Sequence, residues 1–349
     1  MAGIVITTPA GAGTRTGNRH TAQRWARLLR SLGHRVRVCV EWQGQPADLL
    51  LALHARRSHA SIEAFHRAHP ERPLVVVLTG TDLYRDLPRS REARRSLALA
   101  TGIVVLQDDA RRQLAPALRG KTRVVYQSSD ARAGAAPPRD RFRIAVVGHL
   151  REEKDPFRAV AALAELPASP HIELVQVGDA MSPAMARAAR DWMRREPRYR
   201  WTGGRSHAAA LDWIARSQLL VVSSLMEGGA NVICEAARIG TPVIASRISG
   251  NLGMLGRGYP GYFPVGDSTA LARCLGRAAR DPGFRNRLKK ALRARRALFA
   301  PRAERAALGA AIGEALRSVR LRPKPARRRA RDRRRDSDRR DRHRSPRPG

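Results

Sequence analysis

Leu219–Val222 and Pro242–Ala245 are short, apolar, β-rich runs separated by a loop-plus-helix length of chain, and few folds accommodate that spacing. Such runs read as strands buried on both faces of a parallel sheet. The segment between them, Ser223–Thr241, carries Gly228 and Gly229, which free its loop from side chains. Asn231 can serve as an N-cap, so the helix from about Val232 begins with unpaired N–H groups facing the loop, where an anion can sit. Glu227 opens this loop and Glu235 lies on the second turn of the helix, pointing back toward the same cleft. A carboxylate placed beside a nucleotide accepts from ribose hydroxyls.

The same strand-then-helix rhythm runs through the chain. Gly3–Thr7 is a short apolar strand, followed by the Gly-rich turn 9–18 and a helix with apolar residues at Trp25, Leu28, Leu29 and Leu32. The turn does not spell the G-x-G-x-x-G dinucleotide fingerprint and lacks a P-loop lysine. Further strands are predicted at 33–38, 49–53, 74–78, 103–106 and 123–126, with one helix over about 109–118. Gly134, Pro137 and Pro138 mark a linker, after which Phe142–Val147 opens a second set of strands. The expected division is an N-terminal Rossmann-like domain over 1–135 and a second over 141–300. A helix over 301–319 packs back on the first, and an Arg-rich tail over 320–349 has almost nothing to bury and is disordered.

Charge decides less than its size suggests. The formal net charge is +37, but only five of the 67 basic residues are Lys, and aromatics make up 5% of the chain. An arginine bias with so few stacking platforms makes nucleic acid an unfavoured partner. A net charge of +10 over 322–349 leaves +27 on the body, which favours anionic substrates. Cys39, Cys234 and Cys274 are odd in number, widely separated and set in apolar patterns, so they read as buried thiols. Neither a signal peptide, an apolar run long enough to span a bilayer nor a metal-ligand cluster is visible, and a cytoplasmic, cofactor-free protein is expected.

The Glu227-to-Glu235 segment, Lys154 after the strand at 142–147, and Gly178-Asp179 after the strand at 172–177 occur in that order. Together they resemble the family 4 retaining glycosyltransferases of GT-B architecture, two Rossmann-like domains facing a central cleft. The resemblance covers about residues 1–317. It implies that Glu235 holds the donor ribose and that Glu227 lies near the transferred sugar. The amides of Gly229, Ala230, Asn231 and Val232 would face the sugar and phosphates, and Gly178 and Asp179 would flank the base. Lys154 matches the family's diphosphate-binding lysine. His149 stands where the family has an arginine, so a second cation comes from protonated His149 or from Arg151. Cations belong here because charge builds on the leaving phosphate, and a preorganised donor to such charge contributes roughly 10²–10³ in rate. Thr79 stands at a position where family members often carry a histidine, and 246–256 lacks the family's later glutamate. Asp82 either orients a sugar hydroxyl or caps the next segment.

Leu78–Tyr84, Val147–Pro156 and Ile248–Gly256 are, beyond this, similar to the selenosugar synthases of bacterial selenoneine biosynthesis. That resemblance implies a UDP-sugar donor, UDP-N-acetylglucosamine above all, and selenophosphate as acceptor. An anionic acceptor needs cations on the first domain, and Arg15, His20, His54 and Arg56, with Gly17 and Asn18 of the first turn, lie on or beside its strand-end loops. His20 and His54 serve equally well as structural histidines. A glycosyltransferase acting on a hydroxyl acceptor is the alternative, and a basic nucleic-acid-associated protein a remote one.

Overall fold

The computed structural model describes residues 1–9, 11, 17–132, 134–169 and 171–320, with side chains through 318. The predicted tail and Arg15 lie outside these. The first half runs β1 (Gly3–Thr7), α1 (Gly17–Ser31), β2 (Arg35–Cys39), β3 (Leu49–Leu53), α2 (His59–Ala68), β4 (Leu74–Leu78), α3 (Arg91–Leu99), β5 (Gly102–Val105), α4 (Pro116–Arg119) and β6 (Thr122–Val124). These strands form one parallel sheet in the order β2-β1-β3-β4-β5-β6. All five residues of β3 and of β4 are buried, as continuous apolar runs inside a doubly covered sheet must be.

The second half continues with β7 (Phe142–Val147), α5 (Arg158–Ala164), β8 (Ile172–Val177), α6 (Pro183–Arg195), β9 (Tyr199–Trp201), α7 (His207–Ala215), β10 (Leu219–Val222) and α8 (Asn231–Ile239). It ends with β11 (Val243–Ser246), α9 (Ser249–Leu255), β12 (Tyr262–Phe263), α10 (Ser268–Arg280), α11 (Pro282–Arg295) and α12 (Pro301–Arg320). Its parallel sheet has the order β12-β11-β10-β7-β8-β9. The strand order reverses between β7 and β10, so the loops leaving those two strands splay apart and open a crevice at their carboxyl ends.

Helix α12 returns to the first sheet. Leu308, Ala311, Ile312 and Ala315 are buried in the same cluster as Ile4, Trp25 and Leu29. Glu304, buried at its base, accepts from Trp25 Nε1 at 2.7 Å, from Arg24 Nε at 3.1 Å and from the Ser128 amide at 3.0 Å. A buried carboxylate is tolerated because each oxygen has donors.

Three expectations are corrected. The single helix over 109–118 is a 3-10 turn at Asp108–Gln113 and the short α4, because Ala115 precedes Pro116 and is driven to extended backbone. Asn231 is the first residue inside α8 rather than its N-cap; Ala230 occupies that place, and no side chain caps the helix. Of the thiols only Cys234 is buried, while Cys39, on edge strand β2, and Cys274, on α10, are half-buried. No helix among the described residues is long and apolar enough to cross a membrane.

Candidate active site

The loops leaving β7 and β10 are tied to each other. Ser223 Oγ donates to the carbonyls of Lys154 (3.1 Å) and Asp155 (2.9 Å), and the Leu225 amide donates to Glu153 O at 2.9 Å. Lys154 ends a 3-10 turn, Glu152–Lys154, which carries its side chain to Glu227. Glu227 Oε1 takes both the Lys154 ammonium and the Ser224 hydroxyl, the latter at 2.6 Å. His149 is half-buried at the end of β7, and its Nδ1 has no hydrogen-bond partner. With Lys154, Ser223, Ser224 and Val232 it lines a small pocket under the start of α8. Arg151 is exposed at the rim. Lys154, Glu227 and the uncapped amides of α8 therefore converge, a cation and N–H donors on one side of one crevice.

Gly178 fits this loop pair through its backbone. Its φ is +152°, and a Cβ there would lie 2.0 Å from Gly148 O, so the turns after β7 and β8 meet only because the residue is glycine. Asp179 is exposed; its carbonyl accepts from the Leu150 amide at 2.9 Å and its carboxylate lies against Gly204.

Glu235 is 9% exposed and its Oε1 lies 2.9 Å from Nε2 of His207, the first residue of α7. That hydrogen bond raises the His207 pKa above its ordinary value. The pKa of His20, on α1, is lowered, first by burial and then by the positive charges of His207, Arg24 and His149. Sequence reasoning missed His207: a lone histidine opening a helix carries no signal of what it will face.

It missed Gln127 as well. In the orientation that gives every amide atom a complementary partner, Gln127 accepts from Thr21 Oγ1 (2.5 Å) and Arg24, and donates to Asn231 Oδ1 at 2.9 Å and Gly229 O at 3.2 Å. The first sheet thereby braces the loop that carries Gly229, Ala230 and Asn231. Further along the cleft the two halves touch directly. A Cβ on Gly228 would lie 2.1 Å from Thr79 O, and one on Gly253 1.7 Å from Gln107 Oε1. Arg85 pairs with Glu153 at 3.1 Å, and Ser249 Oγ donates to Asp109 at 2.8 Å.

The first-sheet candidates are dispersed. His54 is buried with φ +76°; its Nδ1 accepts from the Arg57 amide, and its Nε2 lies 3.2 Å from Thr81 Oγ1. Burial pushes its pKa down. Arg56 is exposed and pairs with Asp86 at 2.8 Å. Asp82 is a cap: Oδ1 accepts from the amides of Thr79, Gly80 and Leu83, and Oδ2 from Ala55 N. Gly17 is exposed and Asn18 half-buried at the start of α1. Among the described acceptor candidates, His20 is the one that feels the charges of Glu235 and His149.

The crevice belongs to a recognisable segment: residues 127–295 match the family model described as glycosyl transferases group 1. Beyond this segment, about nine-tenths of the chain superposes on solved structures. The UDP-glucose complex of Anabaena HepE matches with a TM-score of 0.69 at 18% identity, covering 90% of this chain and 100% of that one. The sucrose-phosphate synthase of Thermosynechococcus elongatus matches at 0.73 and 17% identity, over 91% and 100%. The architecture is GT-B, two Rossmann-like domains with the second domain's β7–β10 crevice facing the first sheet.

Proposed function

We propose that the chain transfers a sugar from a UDP-sugar, UDP-N-acetylglucosamine above all, to selenophosphate, releasing UDP. The observation that carries the donor half is the convergence of Lys154, Glu227 and the uncapped start of α8 at the strand-order switch. Lys154, with His149 and Arg151 nearby, supplies positive charge where the departing diphosphate gains negative charge. Glu235 accepts from the ribose, and Glu227 and the Gly229–Val232 amides face the sugar. Gly178 and Asp179 flank the base. HepE binds UDP-glucose, which supports a uridine diphosphate donor here.

In the reaction the C1–O bond to the β-phosphate breaks with its electron pair leaving on UDP, and a selenium lone pair forms the C1–Se bond. The phosphoryl group stays on selenium until water cleaves the Se–P bond. Selenium in selenophosphate is a strong nucleophile, so the step needs no general base. The close approach of Gly80 and Gly228 favours a small acceptor, because it leaves little height between the β4 loop and Glu227. His20 of α1 feels the charges of Glu235 and His149 and, with Gly17, Asn18, His54, Arg56 and Arg15, makes the proposed acceptor side. A hydroxyl acceptor is the second reading, favoured by likeness to a sucrose-phosphate synthase.

The test is mass spectrometry after incubating the protein with UDP-N-acetylglucosamine and freshly generated selenophosphate, with UDP release followed in parallel. A product with the selenium isotope pattern at the selenosugar mass is expected. UDP release only with a sugar hydroxyl acceptor would replace the proposal by the second reading, and no UDP release from any nucleotide sugar would overturn both.

A further inference from the structure

We infer that His207 is a positioning residue for nucleotide recognition: it holds Glu235 by Oε1 and leaves Oε2 aimed into the crevice to read the ribose hydroxyls. The inference rests on the reading of Glu235 as the ribose acceptor and adds a residue to it.

Glu235 sits on the second turn of α8 with 9% of its surface exposed. A carboxylate so placed swings between rotamers unless something fixes it. His207 Nε2 lies 2.9 Å from Oε1, while Oε2 makes no hydrogen bond to protein among the described residues. One oxygen is held and the other is available. His207 can do this because α7 begins at that residue: Ser206 Oγ caps the helix through the Ala209 amide at 3.2 Å, which fixes the first turn and with it the direction of the imidazole. The side chain is 66% exposed and contributes little to the core, so its orientation toward Glu235 is not a by-product of packing.

A charge-assisted bond from imidazolium to carboxylate is stronger than one from neutral imidazole. Holding Glu235 is therefore tightest while His207 is protonated. The groups that face His207 are Glu235 from α8, Asp130 from the stretch after β6, and Arg24 and His20 from α1. His149, at the end of β7, acts on His20. The Glu235 hydrogen bond raises the His207 pKa, whereas burial lowers that of His20, so the two titrate on opposite sides of the ordinary histidine value of 6.5. As pH rises above that value, His207 is the one of the two whose proton is lost.

The experiment is calorimetric titration of the full chain with UDP and with 2′,3′-dideoxy-UDP, from pH 6 to pH 9. The proteins are the parent and its His207→Ala, His207→Gln, His20→Gln and Glu235→Ala variants. In the parent, preference for UDP over the dideoxy analogue is expected to fall as pH rises past the His207 titration. His207→Ala is expected to weaken UDP binding about tenfold while barely changing the analogue, as the loss of one bond to a charged group would. His207→Gln, which keeps a neutral donor, is expected to be intermediate and flat with pH, and His20→Gln to keep the parent's slope. Equal weakening of UDP and analogue in His207→Ala would overturn the positioning role, and so would a parent-like pH slope in His207→Gln. If Glu235→Ala leaves the preference intact, the ribose reading itself fails; if it abolishes the preference and His207→Ala does not, only the inference about His207 fails.

Discussion

Gly80 and Gly228 meet backbone to backbone across the cleft: a Cβ on Gly80 would lie 2.8 Å from the Gly228 nitrogen, and one on Gly228 only 2.1 Å from Thr79 O. Neither residue can gain a side chain without separating the β4 loop from the loop that carries Glu227. Gly228→Ala is therefore expected to hold the domains apart while leaving each core untouched. A displacement of about 1 Å of a substrate-positioning loop costs roughly a hundredfold in rate. Turnover should fall on that scale, UDP affinity should change little, and small-angle scattering should report a larger radius of gyration. Parent-like turnover in Gly228→Ala would show that this contact is not made in the reacting state.

Lys154 and Glu227 satisfy each other in the cleft, with the Ser224 hydroxyl on the same carboxylate oxygen. Removing the lysine takes away the cation proposed for the departing diphosphate and leaves an 8%-exposed carboxylate with a hydroxyl as its one remaining side-chain donor. Lys154→Ala is expected to lower kcat by about 10²–10³ and to destabilise the fold by about 1–3 kcal/mol. Lys154→Ala Glu227→Gln should recover the stability and not the rate. Steady-state kinetics and urea denaturation on the two variants separate these effects; recovery of rate in the double variant would remove Lys154 from the chemistry.

The strands were the most legible part of the chain. Leu49–Leu53 and Leu74–Leu78 begin and end where their apolar runs do, because a strand covered on both faces has no polar side to blur its limits. Local punctuation was harder. Pro116 splits what reads as one helix, and Asn231 has the composition of an N-cap while the backbone turns one residue earlier, at Ala230. The Glu227-to-Glu235 segment was visible as spacing, but not what holds it. His207 pairs with Glu235 across 28 residues, Gln127 meets Asn231 from another sheet, and Gly80 meets Gly228 from another domain. Each depends on how elements dock, and docking leaves no periodic trace in sequence.

His54 gives the protein an acid sensitivity that can be traced to one side chain. It is 1% exposed, and burial holds its pKa below the ordinary 6.5. The folded state therefore keeps the ring neutral while the unfolded chain protonates near that value. The stabilisation is complete above pH 6.5 and is lost as pH falls from there through the folded-state pKa. His54→Asn, which tolerates the positive φ, is expected to flatten the loss of stability between about pH 6.5 and 5. His20 and His34, also lowered by burial, leave some slope behind. Urea midpoints at pH 7.5 and 5.5 decide it, and an identical drop in parent and variant would clear His54 of the effect.

Asp109 is the strongest candidate for what keeps the cleft shut. It is 5% exposed on the first-sheet side, and besides Arg112 of its own turn, at 3.8 Å, its partners come from the second domain: Ser249 Oγ at 2.8 Å, at the start of α9, and the Arg257 guanidinium. Tyr84 OH also donates to Ser249 Oγ, at 3.2 Å, and is itself held by Gln107 Nε2 at 2.9 Å. The segment 246–256, which lacks the glutamate expected there, is thus occupied in bridging the two domains. Arg257 is 54% exposed, so its ion pair contributes at most about 1 kcal/mol. The half-buried bond to Ser249 contributes a comparable amount. Asp109→Asn keeps an acceptor for Ser249 and loses only the charge, whereas Asp109→Ala loses both. The population of closed molecules should therefore fall in the order parent, Asp109→Asn, Asp109→Ala, by about tenfold in closing equilibrium across the series. Distance distributions between one label on each domain measure this directly. An unchanged distribution in Asp109→Ala would mean that the other cross-domain contacts, Gly80 on Gly228, Gly253 on Gln107 and Arg85 with Glu153, hold the domains together.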